Sequence, residues 1–479
     1  MSSFYVENFG CRATQADGAA IEEQFRENGL ARADHPRNAQ YVVLNTCAVT
    51  ASAEQDARAA IRRVRRENPA CKVIVTGCYA QRTPHEVASL PGVSLVVGNS
   101  HKNTLAQIAL RAHSGKDQSG GNFVSLSSLT SGQDPHDDSI FVSDIFAHTE
   151  LDAAPVFDSA NERTRPNLKI QDGCNNRCSF CIIPSVRGRS RSLNLDQVLR
   201  EVNQLVEAGY REVVISGINL GRWGRDFQDQ TMWGGRLRPP KLEDLVRTIL
   251  DHTSLEKLRI SSIEPMDWSD SFIRLMADSP RIAKHAHVPM QSGSDAVLRR
   301  MHRKYRPWHY REKIEKIRAA MPTTAIGADV MVGFPGETEF EFEETRRMIE
   351  ELPFTYLHVF TFSARPGTPA ANMPNQVPVR VARERNRILR ELAAEKKRTF
   401  MQHFVGQKIE AITLNVISET PDGICTEALT DNYLKLRIHG RHQANRWLKT
   451  QVSIVDNDQL VGTVPAPSNS LINFRTATV

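Results

Sequence analysis

One short stretch constrains this chain more than any other. Three cysteines, Cys174, Cys178 and Cys181, follow one another in the spacing C-x3-C-x2-C. A four-iron cluster normally takes four cysteine ligands, so a loop that offers only three thiols leaves one iron open to a small molecule. A structural zinc knuckle is the alternative, but zinc prefers four nitrogen or sulfur ligands and no histidine follows at finger spacing. The pattern therefore predicts an iron–sulfur site with an open coordination position.

Length and composition narrow the class of protein. A chain of 479 residues with 40% hydrophobic residues suggests two to four domains. We expect no membrane span, because no run of eighteen apolar residues occurs, and no signal peptide at Met1–Gly10. Eight cysteines are too sparse for a disulfide scaffold and favour metal binding in a reducing cytoplasm. The net charge of +6 fits either a polyanionic partner or an ordinary solvated surface.

Residues 1–110 alternate apolar runs with helical patterns, which predicts an open parallel α/β sheet with helices on both faces. The predicted strands are 4–9, 41–44, 72–75 and 93–97, and the predicted helices are 17–28 and 53–67. A cysteine follows each of the first three strands: Cys11, Cys47 and Cys78. Because ligands collect beyond the carboxyl ends of parallel strands, the three thiols together indicate a second cluster site. Taken singly, each could be a small buried hydrophobe, which is how we interpret Cys71.

The middle of the chain predicts a connector over 111–166 and a second α/β domain over 167–400. Serine- and glycine-rich stretches at 114–121 and 131–138 have linker composition. Six predicted strands follow, at 168–170, 212–215, 257–260, 285–288, 329–332 and 356–360, with helices between them. Six such units suggest a partial (β/α)6 barrel that is open on one side, with its functional face at the carboxyl edge.

Loops at that edge supply further candidates for cofactor binding. Gly217 and Asn219 follow the second strand, Glu264 follows the third and Gln291 follows the fourth. Each of these loops could also be an ordinary turn. Arg187, Arg189 and Arg191 follow the cysteine loop and are candidates for contacts to a cofactor or a phosphate backbone.

The last part of the chain predicts a small antiparallel β-barrel over 401–466, followed by a tail over 467–479. Its short strands are 408–416, 423–428, 433–438, 451–455 and 459–464, as in barrels that bind oligonucleotides. Five basic residues lie in a stretch that contains no acid from 432 to 455: Lys435, Arg437, Arg441, Arg446 and Lys449. They predict an RNA-binding surface or, at nearly equal odds, a solvated edge of a packing module.

Three separated N-terminal cysteines, the C-x3-C-x2-C loop and a terminal barrel occur together in one known family. The loop resembles that of the radical S-adenosylmethionine (radical SAM) enzymes, and nearly the whole chain resembles the methylthiotransferases. The motifs at 77–81 and 171–178 are most similar to those of the threonylcarbamoyladenosine tRNA methylthiotransferases. The resemblance implies a methylthiotransferase domain, a radical SAM barrel and a C-terminal TRAM domain.

The resemblance also implies cofactors and a reaction. Cys11, Cys47 and Cys78 would hold an auxiliary 4Fe–4S cluster that handles sulfur, and Cys174, Cys178 and Cys181 would hold the SAM-binding 4Fe–4S cluster. SAM would serve both as methyl donor and as radical source. The product would be an adenosine next to the tRNA anticodon that carries a methylthio group at C2. A tRNA substrate, an electron donor and a sulfur source are thus expected as partners.

Two kinds of alternative remain open at this point. Sister methylthiotransferases act on isopentenyladenosine in tRNA or on an aspartate of a ribosomal protein. A protein of another class, a non-catalytic iron–sulfur RNA-binding or redox-sensing protein, would cleave no SAM. Neither the oligomeric state nor the base substrate follows from the residues alone.

Overall fold

The structure is a computed structural model that describes residues 2–114, 139–148, 151, 164–228, 231–233, 235–420 and 423–465. The serine- and glycine-rich stretch at 131–138, almost all of the one at 114–121 and the whole predicted tail lie outside these residues.

The N-terminal part forms one six-stranded parallel sheet in the order β2-β1-β3-β4-β5-β6. Its strands are β1 (Ser3–Asn8), β2 (Ala31–Arg32), β3 (Tyr41–Thr46), β4 (Lys72–Gly77), β5 (Val93–Gly98) and β6 (Ile140–Phe141). Its helices are α1 (Arg12–Glu27), α2 (Ala51–Glu67), α3 (Cys78–Arg82), α4 (Pro84–Ala88) and α5 (Leu105–Ser114). Alternate residues of β3 pack into two separate cores, Val42 on one face and Val43 on the other. The predicted open parallel sheet, covered on both faces, is therefore confirmed.

Two short strands in this sheet were not predicted. β2 lies at one edge, beside β1, and β6 lies at the other edge, beside β5. Each has only two residues, which is too short for a periodic pattern in the sequence. β6 also belongs to the stretch predicted as a connector, so part of that stretch extends the N-terminal sheet.

The central part contains six parallel strands with helices between them, as predicted, but their hydrogen bonds form two sheets rather than one. The six parallel strands are β7 (Asn167–Asp172), β9 (Glu212–Gly217), β12 (Lys257–Ile260), β13 (His285–His287), β14 (Ala325–Val332) and β15 (Tyr356–Thr361). Three short strands that were not predicted pair antiparallel: β8 (Arg191–Ser192), β10 (Thr231–Trp233) and β11 (Arg236–Arg238). One sheet has the order β12-β9-β7-β8 and the other β13-β14-β15, while β10 and β11 form a separate hairpin. The two sheets meet between β12 and β13 through the bridge of Leu258 with Ile282 and a bond from Ile263 N to His287 O of 3.0 Å.

Helices cover this barrel-like arrangement and bury one large apolar core. They are α6 (Ile183–Arg187), α7 (Leu195–Glu207), α8 (Leu242–His252), α9 (Asp270–Asp278), α10 (Asp295–Arg300), α11 (Pro307–Ala320), α12 (Glu339–Glu351) and α13 (Val379–Gln402). Local capping explains two of the helix starts: Asn194 caps α7, and Thr338 with Glu341 forms a capping box on α12.

The C-terminal part is a closed five-stranded barrel in the order β16-β17-β18-β20-β19. Its strands are β16 (Lys408–Thr420), β17 (Gly423–Thr430), β18 (Lys435–His439), β19 (Trp447–Asp456) and β20 (Gln459–Thr463). The predicted barrel is antiparallel throughout, and this is wrong for one pair, because β18 and β20 run parallel. Closure requires that pairing, since it joins the two strands that would otherwise be left as sheet edges.

Within the part of the chain that the structure describes, no helix is both long enough and apolar enough to cross a membrane.

Candidate functional site

The loop with the C-x3-C-x2-C motif follows β7 and is held on both sides. Gly173 enters it with φ of +69°, and a Cβ there would lie 2.0 Å from the carbonyl oxygen of Arg189, so only glycine fits. The backbone N–H of Cys174 donates to Gly188 O at 3.1 Å. At the other end, Ser179 Oγ donates to Arg300 O at 2.7 Å. These bonds fix the loop before any ligand is present.

Polar groups surround the three sulfur atoms of this loop. The amide N–H of Asn176 and the side-chain amide of Asn219 point at Cys174 Sγ, at 3.4 and 3.5 Å. Arg303 Nη1 lies 3.2 Å from Cys178 Sγ. Burial raises the pKa of the Cys181 thiol to about 12. A bound metal would remove the thiol protons, and these donors would then stabilise the thiolates of Cys174 and Cys178.

Cys11, Cys47 and Cys78 converge at the carboxyl edge of the N-terminal sheet, as the strand pattern predicted. Cys47 follows β3 directly, Cys78 follows β4 directly and Cys11 comes three residues after β1. A Cβ at Gly10 would lie 2.8 Å from the Cβ of Cys47 and 3.1 Å from its sulfur. Burial and then the neighbouring thiols of Cys78 and Cys11 raise the pKa of Cys47 to about 12. The three thiols are therefore close neighbours.

The spacing of the thiols does not suit a single zinc ion. Among the described cysteines, no three sulfur atoms lie within 4.8 Å of one another. A tetrahedral zinc ion with bonds of about 2.3 Å holds its sulfur ligands about 3.8 Å apart. A cluster of several irons spreads its ligands more widely, so each cysteine triad fits such a cluster better than a zinc knuckle.

The cysteine loop and Cys11, one member of the N-terminal triad, open onto one cavity of about 630 Å³. Cys11 lines it together with Cys174, Cys178 and Cys181. The four predicted cofactor-binding residues, Gly217, Asn219, Glu264 and Gln291, line the same cavity. Buried in its wall, the side-chain oxygens of Asn219 and Gln291 have no hydrogen-bond partner within the described protein. Buried polar atoms are normally paired, so these two oxygens are free to accept hydrogen bonds from a ligand in the cavity.

Glu264 is less free than its position in the sequence suggests. Its carboxylate forms an ion pair with Arg303, the same arginine that contacts the sulfur of Cys178. The pair places a carboxylate at the cavity wall while holding a cation against the cysteine loop.

Several functional candidates in this cavity were missed by the analysis of the sequence. A set that we call the polar wall consists of Arg12, His285, His287, Tyr356, His358 and Tyr433. Asp329 lies among them and also lines the cavity. The motifs His-Ala-His on β13 and Tyr-Leu-His on β15 place polar side chains on one face of each strand, which is a signal that the sequence did contain.

Two of the three arginines after the cysteine loop are not available for a cofactor or phosphate. Arg187 is only 1% exposed and binds Asp172 at 3.0 Å and Asp17 at 2.9 Å. Arg191 is also buried and donates to His148 O at 3.0 Å. Their expected role as ligand contacts is therefore wrong, because buried carboxylates already pair with Arg187 and a carbonyl with Arg191. Arg189 is exposed.

The basic stretch of the C-terminal barrel is also partly neutralised. Arg437 forms an ion pair with Asp456, just beyond the stretch that lacks acids. The barrel instead contributes one side chain to the cavity, that of Tyr433. This residue lies in the turn between β17 and β18 with φ of +69°. Its ring reaches the cavity, 4.5 Å from the His285 ring.

Comparisons with known proteins agree with this arrangement. The Radical SAM superfamily matches residues 168–349, and the Uncharacterized protein family UPF0004 matches residues 3–98. The threonylcarbamoyladenosine tRNA methylthiotransferase MtaB of Bacillus subtilis is 36% identical over 92% of this chain and 91% of its own length. The MtaB of Aquifex aeolicus is 32% identical over 93% of this chain and 99% of its own.

A relative with another substrate and a solved structure are also similar. The tRNA-2-methylthio-N(6)-dimethylallyladenosine synthase of Thermobifida fusca is 32% identical over 86% of this chain and 77% of its own length. The radical SAM methyltransferase TsrM of Kitasatospora setae has a TM-score of 0.55 at 14% identity, covering 77% of this chain and 75% of its own, and shares the fold. The resemblance first drawn from the cysteine motifs is confirmed by the relatives that span the whole architecture: this chain belongs to the radical SAM methylthiotransferase family.

Proposed function

We propose that this protein converts N6-threonylcarbamoyladenosine, next to the anticodon of tRNA, into its 2-methylthio derivative. The observation that carries the proposal is the single cavity onto which Cys11 and the Cys174–Cys181 loop both open. Its volume of about 630 Å³ lies in the usual range for small-molecule sites. The relatives named for this reaction match the chain over most of its length.

The residues present fit two iron–sulfur clusters and SAM. Cys11, Cys47 and Cys78 would hold an auxiliary 4Fe–4S cluster, and Cys174, Cys178 and Cys181 would hold the SAM-binding 4Fe–4S cluster. When bound, these groups supply an adenosyl radical, a methyl group and the sulfur to be inserted. The backbone around Gly217 and the free oxygens of Asn219 and Gln291 would accept hydrogen bonds from the amino and hydroxyl groups of SAM.

The side chains around the cavity prepare this chemistry without acting as a base. The C2–H of an adenine ring is not acidic enough for general-base removal, so no side chain is assigned that role. Arg303 holds Cys178 and Glu264 in fixed relative positions.

The remaining parts of the chain are assigned roles in substrate binding. Residues 1–110 would carry the auxiliary cluster, residues 167–400 the SAM cluster, and the barrel at 401–466 would contact tRNA. Support for the barrel's role comes from Tyr433, which links it to the cavity. The enzyme would act in the cytoplasm on tRNA, with an electron donor and a sulfur source.

Nucleoside analysis tests the proposal directly. Transfer RNA from a strain that lacks this gene should contain threonylcarbamoyladenosine without its methylthio form, and re-expression of the chain should restore that form. Persistence of the methylthio form in the deletion strain would overturn the proposed substrate, and loss of methylthio-isopentenyladenosine instead would identify the sister activity. Reduced, reconstituted protein that releases no 5′-deoxyadenosine from SAM would favour a non-catalytic protein.

A further inference from the structure

The polar wall is built from three separate parts of the fold and is held by its own hydrogen bonds. Arg12, at the start of α1, donates to the hydroxyl of Tyr433 at 3.0 Å. His285 Nε2 lies 2.6 Å from the hydroxyl of Tyr356. The Tyr356 and His358 rings are 5.3 Å apart. The wall is therefore arranged in advance at one side of the cavity, next to Cys11.

Arg12 is the one positive charge in this wall that lacks an acid. Within the described residues Arg12 forms no ion pair, although it lines the cavity. Burial lowers the pKa of His285 and of His358, so both rings are neutral at pH 7. Two deeper arginines nearby, Arg165 and Arg259, are already paired with Glu212. A cation in a partly enclosed site without a counter-ion favours an anionic ligand group.

The acid in this region, Asp329, has a different neighbour. Its Oδ1 lies 3.3 Å from His287 Nε2, and the other ring nitrogen of His287 lies 2.7 Å from Ser262 Oγ. Asp329 and Arg12 line the same cavity, so one offers acceptor oxygens and the other offers donors. A ligand that combines a carboxylate with N–H and O–H donors would satisfy both.

We infer that the polar wall recognises the N6 substituent of the target adenosine, and that Arg12 binds the carboxylate of its threonylcarbamoyl group. This inference rests on the proposed function and deepens it. The threonylcarbamoyl group has a free carboxylate, a hydroxyl and N–H donors, which match Arg12 and Asp329 in kind. A dimethylallyl group has none of these and would cover Arg12 without pairing it. Sites built to bind polar groups reject apolar analogues strongly for that reason.

Substrate preference measured within each enzyme tests this assignment. The reconstituted enzyme would be given anticodon stem-loop RNAs that carry threonylcarbamoyladenosine, its threonine-amide analogue or isopentenyladenosine, and kcat/KM would be measured for each. Wild-type protein should prefer the carboxylate over the amide. Arg12→Gln should lower kcat/KM for the carboxylate substrate by roughly 10- to 100-fold and remove that preference. Arg12→Lys keeps the positive charge but loses the planar guanidinium. Its kcat/KM for the carboxylate substrate should therefore lie between the values for wild type and Arg12→Gln.

Controls separate this inference from the proposed function and from damage to the fold. Arg26→Gln, which changes a surface arginine of the same helix, should behave as wild type. The ratio of carboxylate to amide turnover does not depend on the fraction of loaded enzyme, so incomplete cluster assembly cannot imitate the result. Wild-type protein that modifies no threonylcarbamoyl substrate would overturn the proposed function. Wild-type protein that modifies it, with an unchanged ratio in Arg12→Gln, would overturn the inference alone.

Discussion

Asp17 lies at the centre of a buried charge network that joins the two cysteine-bearing parts of the protein. It belongs to α1, six residues after Cys11, and binds Lys102 Nζ at 2.8 Å and Arg187 Nη2 at 2.9 Å. It also pairs with Lys169 on β7, the strand that leads into the cysteine loop. Burial alone would raise the pKa of Asp17, but Lys102, Lys169 and Arg187 outweigh it and hold the pKa well below its usual value.

Replacing Asp17 with asparagine should be costly for this reason. Asp17, Lys169 and Arg187 are each at most 2% exposed, and Asp172 is the second acid of the network. The cations of the network are Lys102, Lys169, Arg187 and Arg191, which lies 4.0 Å from Asp172. Against two acids, the substitution would raise the net charge from about +2 to about +3 in a largely buried site. Removal of one partner from a buried ion pair costs about 3–5 kcal/mol. That is a large part of a typical folding free energy of about 5–15 kcal/mol.

Urea unfolding at pH 7, followed by far-ultraviolet circular dichroism, would measure this loss. Glu23→Gln serves as the matched control, because it removes an exposed ion pair from the same helix and should cost less than about 1 kcal/mol. Adding Lys102→Met to Asp17→Asn should recover part of the loss, so the two effects should not add. If Asp17→Asn behaved like Glu23→Gln, or if the double variant were additive, the network would not hold the two parts together as argued.

Further predictions concern the clusters and the pH dependence of stability. Cys174→Ala should abolish release of 5′-deoxyadenosine from SAM. Cys78→Ala should keep that release but lose methylthio insertion, with iron falling from about eight to about four atoms per chain, while the buried Cys71→Ala should keep both activities. Normal insertion by Cys78→Ala would contradict the auxiliary site. Burial lowers the pKa of Lys102 to about 8 in the folded protein, whereas it is about 10.4 in an unfolded chain. The unfolded state therefore binds more protons between these values, and stability should rise with pH across this window by at most about 3 kcal/mol. Urea titrations from pH 7.5 to 10.5 should show this rise in wild-type protein and lose it in Lys102→Met; equal slopes would contradict the shifted pKa.

Local patterns in the sequence were enough for much of the fold. The strand Lys257–Ile260 has the predicted bounds, because its apolar residues alternate between flanking breaks. The convergence of Cys11, Cys47 and Cys78 also followed from the sequence, since parallel strands end at a common edge. Two-residue strands such as Ala31–Arg32 were missed, because so short a segment has no sequence pattern of its own. It is a strand only through its hydrogen bonds to a neighbouring strand.

The six cysteines, their grouping into two triads and the α/β class were determined by the sequence alone, because thiol spacing and strand ends are local properties. The tertiary structure decided which charges are free. Arg187 follows the cysteine loop yet is buried against Asp17, whereas Arg12 opens onto the cavity without an acid. It also brought Tyr433 from the terminal barrel to that cavity. Burial and charge pairing depend on residues hundreds of positions apart, and no local pattern records such contacts.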